Sequence, residues 1–202
     1  MSADSVLITG ASGLIGRALS QRLRADGMTV VPLLRRSAEA GKSPAVDAKG
    51  QSTSAGQAWW DLEQGVIDLN GAPPPRAVIH LAGENIGQGR WTSARKQRFV
   101  DSRVRGTTLL CEWMAQLPAP PEVLVSASAT GFYGDRQDQE LTEASSCGSG
   151  FLADLCRQWE HCTAAAEDAG IRVVHLRTGV VLSPDGGALQ KMLTPFKLGL
   201  GG

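Results

Sequence analysis

Residues 5–16 read SVLITGASGLIG, and this stretch decides the fold. Its first half, SVLIT, is rich in apolar and β-branched residues, which is typical of a short buried strand. Its second half carries glycines at Gly10, Gly13 and Gly16, and apolar residues then recur at helical spacing from Leu14. The sequence therefore predicts a strand, a tight glycine turn and a helix in immediate succession.

The glycine turn has the composition of a phosphate-binding loop, and each glycine has a physical reason. Gly10 permits the tight turn, Gly13 lets backbone N–H groups approach a pyrophosphate, and Gly16 lets the helix pack close to the strand. A simple strand-to-helix turn is the alternative interpretation. Because a strand precedes the glycines and a helix follows them, we favour the dinucleotide-binding interpretation.

The rest of the chain alternates strand-like and helix-like segments with short turns between them. Strands are predicted at residues 29–34, 59–62, 77–82, 123–128 and 171–177, and helices at residues 92–117 and 151–169. The polar, aperiodic residues 41–57 are predicted to form a loop. This order is typical of an α/β fold, a Rossmann-like doubly wound parallel sheet with helices on both faces.

Composition excludes several classes of function. The 202 residues carry 20 Lys plus Arg and 20 Asp plus Glu, so no basic surface for nucleic acid or membrane is expected. No apolar run reaches the roughly 18 residues of a membrane-spanning helix, and the first residues lack a signal-peptide pattern. Cysteines without C-x-x-C spacing and scattered histidines predict no metal site. We therefore expect a cytoplasmic protein with reduced thiols.

The end of the second predicted strand indicates which dinucleotide is bound. A fold that binds NAD usually has an acidic residue there, which accepts hydrogen bonds from the ribose hydroxyls. This chain has Leu34, Arg35 and Arg36 instead, with no carboxylate before Glu39. A guanidinium at this place would pair with the 2′-phosphate of NADP, so we expect NADP(H) to be favoured over NAD(H). Two solvated arginines are the alternative. Asp61, after the third predicted strand, is an expected acceptor for the adenine amino group.

Four segments together resemble the extended short-chain dehydrogenase/reductases, the NAD(P)-dependent epimerase/dehydratase group. They are TGASGLIG, IHLAGEN at residues 79–85, SASATGFYGD at residues 126–135 and LRTGVVL at residues 176–182. The stretches HLAGENIGQGRW, DSRVRGT and PFKLGLGG are similar to a subgroup described as epimerase family proteins, whose members carry a C-terminal domain of unknown function. The resemblance covers essentially the whole chain and implies an NAD(P)-binding Rossmann domain over residues 1–202.

Carried over by position, the resemblance implies a set of cofactor contacts. At the end of the fourth predicted strand, Leu81, Ala82 and Gly83 would pass along the adenosine ribose and the pyrophosphate. Glu84 and Asn85 would point toward the nicotinamide half. Arg103 stands where the superfamily has an asparagine and would reach a phosphate or a ribose, a surface position being the alternative. Val180 would lie near the nicotinamide. The implied cofactor-binding residues are Gly10, Ser12, Gly13, Leu14, Ile15, Gly16, Arg35, Arg36, Asp61, Leu81, Ala82, Gly83, Glu84, Arg103 and Val180.

The superfamily reaction exposes a problem in this chain. It needs a Ser or Thr, and a Tyr with a Lys four residues later, because a neighbouring ammonium lowers the pKa of a phenol from about 10 toward the working pH. By position the Ser is Ser128, with a buried hydroxyl bonded to backbone as the alternative. The Tyr–Lys pair is missing: the only tyrosine is Tyr133, Gln137 follows it four residues later, and Phe151 and Leu155 occupy about the places of the pair.

Several carriers of the proton stay open. Tyr133 lies in a turn that borders the substrate in the family, where it either transfers the proton or packs and hydrogen-bonds. Glu84 and Asp154 are other candidates on weaker grounds. The catalytic residues that we expect are Ser128 and Tyr133.

Two functions are consistent with this pattern. One is an NADP(H)-dependent oxidoreductase or epimerase with an atypical active site, acting on a small molecule such as a nucleotide sugar or another carbonyl or hydroxyl compound. The other is a dinucleotide-binding sensor or regulatory protein without turnover. In the extended group a C-terminal region builds much of the substrate pocket. We expect that region to be missing here and apolar surface to be exposed in its place, which favours association into a homodimer.

Overall fold

The computed structural model describes residues 5–36 and 57–199, which form a seven-stranded sheet flanked by helices. The strands are β1 Ser5–Thr9, β2 Thr29–Arg35, β3 Trp59–Asp61, β4 Val66–Asp68, β5 Ala77–His80, β6 Val123–Ala129 and β7 Arg172–Thr178, and a two-residue strand, β8 Leu182–Ser183, lies outside the sheet. The helices are α1 Leu14–Ala25, α2 Ser93–Ala115, α3 Phe151–His161, α4 Ala164–Asp168 and α5 Gly187–Lys197, and a 3-10 turn covers Thr130–Tyr133.

The sheet order is β4-β3-β2-β1-β5-β6-β7, so the winding reverses between β1 and β5. Every neighbouring pair is parallel except β3 with β4. Because crossovers between parallel strands are right-handed, α1 lies on one face of the sheet and α2, α3 and α4 lie on the other. The predicted doubly wound, Rossmann-like sheet is confirmed. The crevice at the reversal, beyond the carboxyl ends of β1 and β5, is where such folds bind ligands.

The core explains why these segments become strands. All five residues of β1 are buried, as expected for the central strand of a sheet that is covered on both faces. Along β6 burial alternates, so Leu124, Ser126 and Ser128 face the helices while their neighbours are half-buried. Trp60, Leu110 and other apolar side chains fill the layer between sheet and helices. Each such side chain contributes about 2 kcal/mol through burial.

Pro32 lies inside β2 without breaking the sheet. The amides of Leu34 and Arg36 donate to the carbonyls of Ala58 and Trp60, on the side of β3, so the nitrogen of Pro32 faces the same side. The ladder between β2 and β3 begins only at Leu34, so the N–H that Pro32 lacks has no partner in the described ladder. Pro32 is the central residue of β2, and it is tolerated because the described ladder leaves this side of β2 unpaired there, as at the edge of a sheet.

The helix predicted at residues 151–169 is wrong in one respect, since it is two helices. α3 ends at His161 and α4 begins at Ala164. The hydroxyl of Thr163 donates to the carbonyl of Glu160 at 2.8 Å and lies 3.0 Å from Nε2 of His175. A side chain that hydrogen-bonds the preceding turn competes with the helical ladder, which interrupts the helix at this place.

Three elements have no counterpart among the predicted ones. The antiparallel strand β4 pairs with β3 at one edge of the sheet. β8 and α5 follow β7, and α5 buries none of its residues. Of the predicted loop at residues 41–57, only Gln57 belongs to the described residues.

Candidate cofactor and active site

The glycine loop follows β1 at the carboxyl edge of the sheet. Gly10 has a φ of +68° and its carbonyl accepts from the amide of Gly13 at 3.0 Å, which closes the turn. A Cβ on Gly10 would stand 2.8 Å from the backbone carbon of Leu81, and a Cβ on Gly16 would overlap the carbonyl oxygen of Gly10. Glycine is therefore required at both positions by close backbone approach and, at Gly10, also by a left-handed conformation.

The start of α1 is open to an anion. Its N-cap is Gly13, which has no side chain to cap the first turn, and no acidic residue lies in that turn. Ser12 is exposed, and its carbonyl accepts from Arg17 at 2.8 Å. Backbone N–H groups at the N-terminus of such a helix are the usual partners of a phosphate.

The carboxyl ends of β2 and β3 border a cavity of about 440 Å³. Arg35 and Arg36 are exposed there, and the guanidinium of Arg36 lies 4.7 Å from the ring centre of Trp59. Asp61 is buried, and its Oδ1 accepts from the amides of Glu63 and Gln64, so one carboxylate oxygen holds the turn after β3. The other residues that line the cavity are Leu62, Glu63, Glu84, Arg98, Asp101, Ser102 and Arg105.

The segment after β5 is held in place by the side chain of Thr9, the last residue of β1. The Thr9 hydroxyl oxygen accepts from the amides of Leu81 and Ala82, both at 3.1 Å. These two donors are therefore already satisfied and not directed at a ligand. Gly83 follows in close contact with Arg103, since a Cβ there would stand 3.2 Å from the guanidinium carbon.

Sequence reasoning missed His80 as part of this support. It is fully buried, with Nδ1 2.7 Å from the hydroxyl of Thr9 and Nε2 3.0 Å from the hydroxyl of Thr107. Because the Thr9 oxygen already accepts two amides, its own O–H donates to Nδ1, which fixes the imidazole proton on Nε2. The hydroxyl of Thr107 also accepts from the indole of Trp159 at 2.9 Å. One chain of hydrogen bonds thus links the segment after β5 to α2 and α3.

The charge state of His80 follows from the same surroundings. Complete burial, and after it the nearby charge of Arg103, lower the pKa of His80 to about 4. The ring is therefore neutral at physiological pH. A histidine between apolar residues at a strand end was the only sequence feature that could have indicated this structural role.

Arg103 is directed into the protein and not to solvent. Its guanidinium donates to the carbonyl of Glu84 and to that of Phe99, both at 3.2 Å, and lies 5.0 Å from the ring centre of Trp159. Burial lowers the pKa of the guanidinium, and Cys156 and Glu84 oppose that change. The surface position considered for Arg103 is therefore wrong.

Ser128 faces α3 at the end of β6. It is 3% exposed, and its hydroxyl donates to Oε1 of Glu160 at 2.6 Å. Arg177 holds the same carboxylate in a bidentate ion pair, with Nε 2.9 Å from Oε1 and Nη2 2.8 Å from Oε2. Burial alone raises the pKa of Glu160, but the hydrogen bonds from Arg177 and Ser128 outweigh it and hold that pKa below its ordinary value. The backbone-bonded hydroxyl considered as the alternative is not what the structure shows, because the acceptor is a carboxylate.

Tyr133 belongs to the same buried cluster. Its phenol oxygen accepts from Nη1 of Arg177 at 3.0 Å, and the residue is only 9% exposed. The guanidinium of Arg177 also lies 3.6 Å from the ring centre of Phe132. Ser128, Tyr133, Glu160 and Arg177 therefore form one connected group, of which the sequence had indicated the first two.

The start of α3 differs from the expected arrangement. The residue that lies against Ser128 is Cys156, whose thiol also contacts the backbone of Ala129, whereas Leu155 is buried as an apolar side chain. Burial raises the pKa of Cys156, so the thiol stays protonated. Asp154 is exposed and pairs with Arg157 at 3.2 Å. Val180 is 75% exposed beyond β7.

Two further observations concern the described residues. Within residues 5–36 and 57–199, no group of three or more His, Cys, Asp or Glu side chains is arranged to hold a metal ion. Among the helices of the same residues, none has the length and apolar character needed to cross a membrane.

Comparison with known proteins finds similarity over nearly the whole of this chain. The model of the NAD dependent epimerase/dehydratase family matches residues 6–199. An epimerase family protein of Mycobacterium bovis is 42% identical over 196 residues, which are 97% of this chain and 60% of that protein.

Two solved structures are similar over nearly the whole chain. The human epimerase family protein SDR39U1, solved with NADPH, has a TM-score of 0.77 and 32% identity over 98% of this chain and 61% of its own. The nucleoside-diphosphate sugar epimerase of Corynebacterium glutamicum has a TM-score of 0.73 and 38% identity over 97% of this chain and 38% of its own. This chain therefore spans less than two thirds of the length of each of these relatives.

Proposed function

The chain belongs to the NAD dependent epimerase/dehydratase family, and on this premise we propose that it binds NADP(H) at the carboxyl edge of its sheet and serves an oxidoreductase or epimerase reaction. The observation that carries the proposal is the cradle of the glycine loop. Gly10 and Gly16 leave room that a Cβ would fill, and the first turn of α1 presents amides without a nearby carboxylate. These residues fit the pyrophosphate of a dinucleotide.

The preference for NADP(H) over NAD(H) is supported by charge. Arg35 and Arg36 stand at the end of β2, where an acid that binds the ribose hydroxyls would stand in an NAD-specific fold. Arg35 makes no ion pair with another described residue, so its guanidinium is available to a 2′-phosphate. The human relative was solved with NADPH, which is consistent with this preference.

NADP(H), when bound, would supply or accept a hydride, and the chain itself would handle the proton. Ser128 donates its own proton to Glu160, so the lone pairs of its oxygen remain to accept from a substrate hydroxyl. Tyr133 Oη accepts from Arg177, which fixes the position of the phenol oxygen. Arg177 would thereby orient Tyr133, and Tyr133 would move the proton.

The second candidate is a sensor or regulatory protein that binds NADP(H) without turnover. The observation that favours it is the pairing of the same polar groups with each other. Ser128 and Tyr133 are both buried, and Glu160 and Arg177 form a bidentate pair with little solvent exposure. A cluster whose polar groups are paired with each other also stabilises a fold without taking part in any reaction.

Absorbance of the reduced nicotinamide, together with analysis of the sugar products, separates the two candidates. The chain with NADP+ is mixed with UDP-glucose and UDP-glucuronic acid, and the chain with NADPH is mixed with an aromatic diketone. Catalysed gain or loss of NADPH that Tyr133→Phe reduces by about 100-fold supports the proton role, since one positioned acid or base contributes 10²–10⁴-fold. An epimerase returns its hydride within each turnover and leaves the absorbance unchanged, so the sugar products are also analysed by NMR. NADPH that binds and keeps its absorbance with every compound, with both UDP-sugars recovered without epimerisation, favours the sensor. A rate that Tyr133→Phe leaves unchanged excludes Tyr133 as the proton carrier.

A further inference from the structure

The segment between β5 and α2 has an unusual charge pattern. Residues 85–98 carry four cations, Arg90, Arg95, Lys96 and Arg98, and no Asp or Glu. The chain as a whole has equal numbers of both charges, so this excess is local. The segment lies at the carboxyl edge of the sheet, since it begins just after β5 and continues into the first turns of α2.

Aromatic rings from two helices and a loop meet here. The ring centre of Trp91 lies 5.6 Å from that of Phe99 and 6.0 Å from that of Phe151, both in edge-to-face geometry. Trp91 remains 40% exposed although its indole N–H donates to the carbonyl of Ile86 at 3.0 Å. We call Trp91 and Phe151 the aromatic shelf. The hydrogen bond to Ile86 fixes the indole of Trp91, and part of the surface of the shelf stays exposed to solvent.

Lys96 brings an ammonium to this shelf from α2. Its Nζ lies 5.1 Å from the ring centre of Phe151, the first residue of α3 and about the place of the missing catalytic tyrosine. Among the described residues, Lys96 has no carboxylate partner. The acids that flank the two segments are engaged elsewhere: Glu84 lines the cavity of Arg35, and Asp154 pairs with Arg157. This chain lacks the family's lysine in α3, but the ammonium of Lys96, from α2, lies beside the first residue of α3.

The loop that carries the shelf is pinned by two other cations. Nη2 of Arg95 donates to the carbonyl of Asn85 at 3.0 Å, and Nζ of Lys191 in α5 donates to the carbonyl of Gly87 at 2.7 Å. Nε of Arg95 is buried without a hydrogen-bond partner. A buried donor without a partner costs free energy, and the guanidinium of Arg95 adds positive charge beside the loop. Arg95 and Lys191 therefore fix the loop, whereas the ammonium of Lys96 is left for a ligand.

We propose that Lys96 binds an anionic group of the substrate, a phosphate or a carboxylate, while the aromatic shelf packs against the part of the substrate next to that group. The inference rests on the proposed function only in placing the substrate at this edge of the sheet. It assigns to Lys96 a binding role, separate from the glycine loop that receives the cofactor phosphates.

Calorimetric titration of the NADP+-saturated chain tests this assignment with two probes, inorganic pyrophosphate and D-glucuronate. Saturation with NADP+ fills the glycine loop, so a second anion must bind elsewhere. The variants are Lys96→Met, which keeps the aliphatic stem over Phe151, and Lys96→Arg, which keeps the charge. Lys197→Met removes an exposed lysine at the end of α5 and is the matched control.

We expect at least one probe to bind, about tenfold more weakly in Lys96→Met, with near-normal affinity in Lys96→Arg and in Lys197→Met. The probe that depends on Lys96 identifies the group as phosphate or carboxylate. Binding of neither probe, or binding that Lys96→Met leaves unchanged, would overturn the assignment. A wild-type chain that fails to bind NADP+ contradicts the proposed function instead, and the dependence of pyrophosphate binding on Lys96 is then measured on the chain alone.

Discussion

Two regions of the carboxyl edge of this sheet, one at the central strand β1 and one at β6 and β7, have opposite arrangements of polar groups. At β1, the glycine loop leaves donors open: Gly13 caps α1 without a side chain, and Gly10 and Gly16 keep space where a Cβ would collide. At β6 and β7, the polar groups close on each other, with Ser128 on Glu160 and Glu160 on Arg177. The first region leaves backbone donors without partners, and the polar groups of the second are already paired with each other.

The difference shows which functional features a sequence can specify locally. Open donors need only absent side chains, so three glycines in one turn are sufficient. A closed cluster needs partners from distant parts of the chain: Ser128 and Glu160 are 32 residues apart, and Tyr133 and Arg177 are 44 apart. Substitution in the glycine loop should therefore abolish the binding of cofactor. Substitution in the closed cluster should lower stability and leave cofactor affinity unchanged.

Gly16→Ala is expected to have the largest effect. Its Cβ would overlap the Gly10 carbonyl oxygen, and backbone cannot move aside as a flexible side chain can. We expect NADPH affinity to fall by about 1000-fold, or about 4 kcal/mol. The control is Gly27→Ala, which has a positive φ but no atom within 4 Å, and should lose only about 1 kcal/mol of stability with full NADPH affinity. Equal affinity losses in both variants would mean that the glycine loop is not the cofactor site.

Arg177→Met is expected to destabilise the fold by about 3 kcal/mol, because it leaves a nearly buried carboxylate without its partner. Chemical denaturation measures this loss, and calorimetry should give unchanged NADPH affinity. Arg157→Met removes the arginine of an exposed pair and should change stability by about 0.5 kcal/mol or less. Restoration of stability by Glu160→Gln in the Arg177→Met background would confirm the cause, and no restoration would contradict it.

Acid should destabilise the chain through His80. The pKa of His80 is lowered from 6.5 to about 4 in the fold, so between these values the unfolded chain binds a proton that the folded chain does not. The free energy of unfolding should therefore fall by about 3 kcal/mol as the pH drops from 6.5 to 4. The lowered pKa of Glu160 adds a second loss of stability, which begins as the pH falls through the ordinary carboxylate value of 4.5 and continues below it. His80→Gln should flatten the slope above pH 4, and an unchanged slope in that variant would refute the assignment.

Tyr133→Phe should have the smallest effect on stability. The phenol accepts one hydrogen bond from Arg177, which keeps both of its bonds to Glu160 in the variant. We expect a loss of about 1 kcal/mol by thermal or chemical unfolding, with NADPH affinity unchanged. A loss as large as that of Arg177→Met would indicate that Tyr133, and not Glu160, anchors the guanidinium.

The sequence was sufficient for the fold and for the glycine loop because both depend on local patterns. The strand SVLIT, the glycine spacing and the arginines after β2 are all contiguous, and the structure places them at one edge. The broken helix at Thr163 was not foreseeable, since the hydrogen bond between Thr163 and His175 of β7 depends on tertiary structure.

The closed cluster and the aromatic shelf were missed for the same reason. Glu160 and Arg177 are ordinary charged residues in sequence, and only the packing of α3 beside β7 brings their charges together. Lys96 is likewise an ordinary charged residue in sequence, and only the packing of α2 beside α3 brings its ammonium to the first residue of α3.

Calorimetric titration with NADPH and with NADH, on the wild-type chain and on Arg35→Ala, tests the central claim most directly. The account predicts that NADPH binds about tenfold or more tightly than NADH, a difference of about 1.4 kcal/mol, and that the difference vanishes in Arg35→Ala. Equal binding of both nucleotides, or a preference that survives in Arg35→Ala, would contradict the role of the β2 arginine. No binding of either would contradict the glycine loop as a cofactor site.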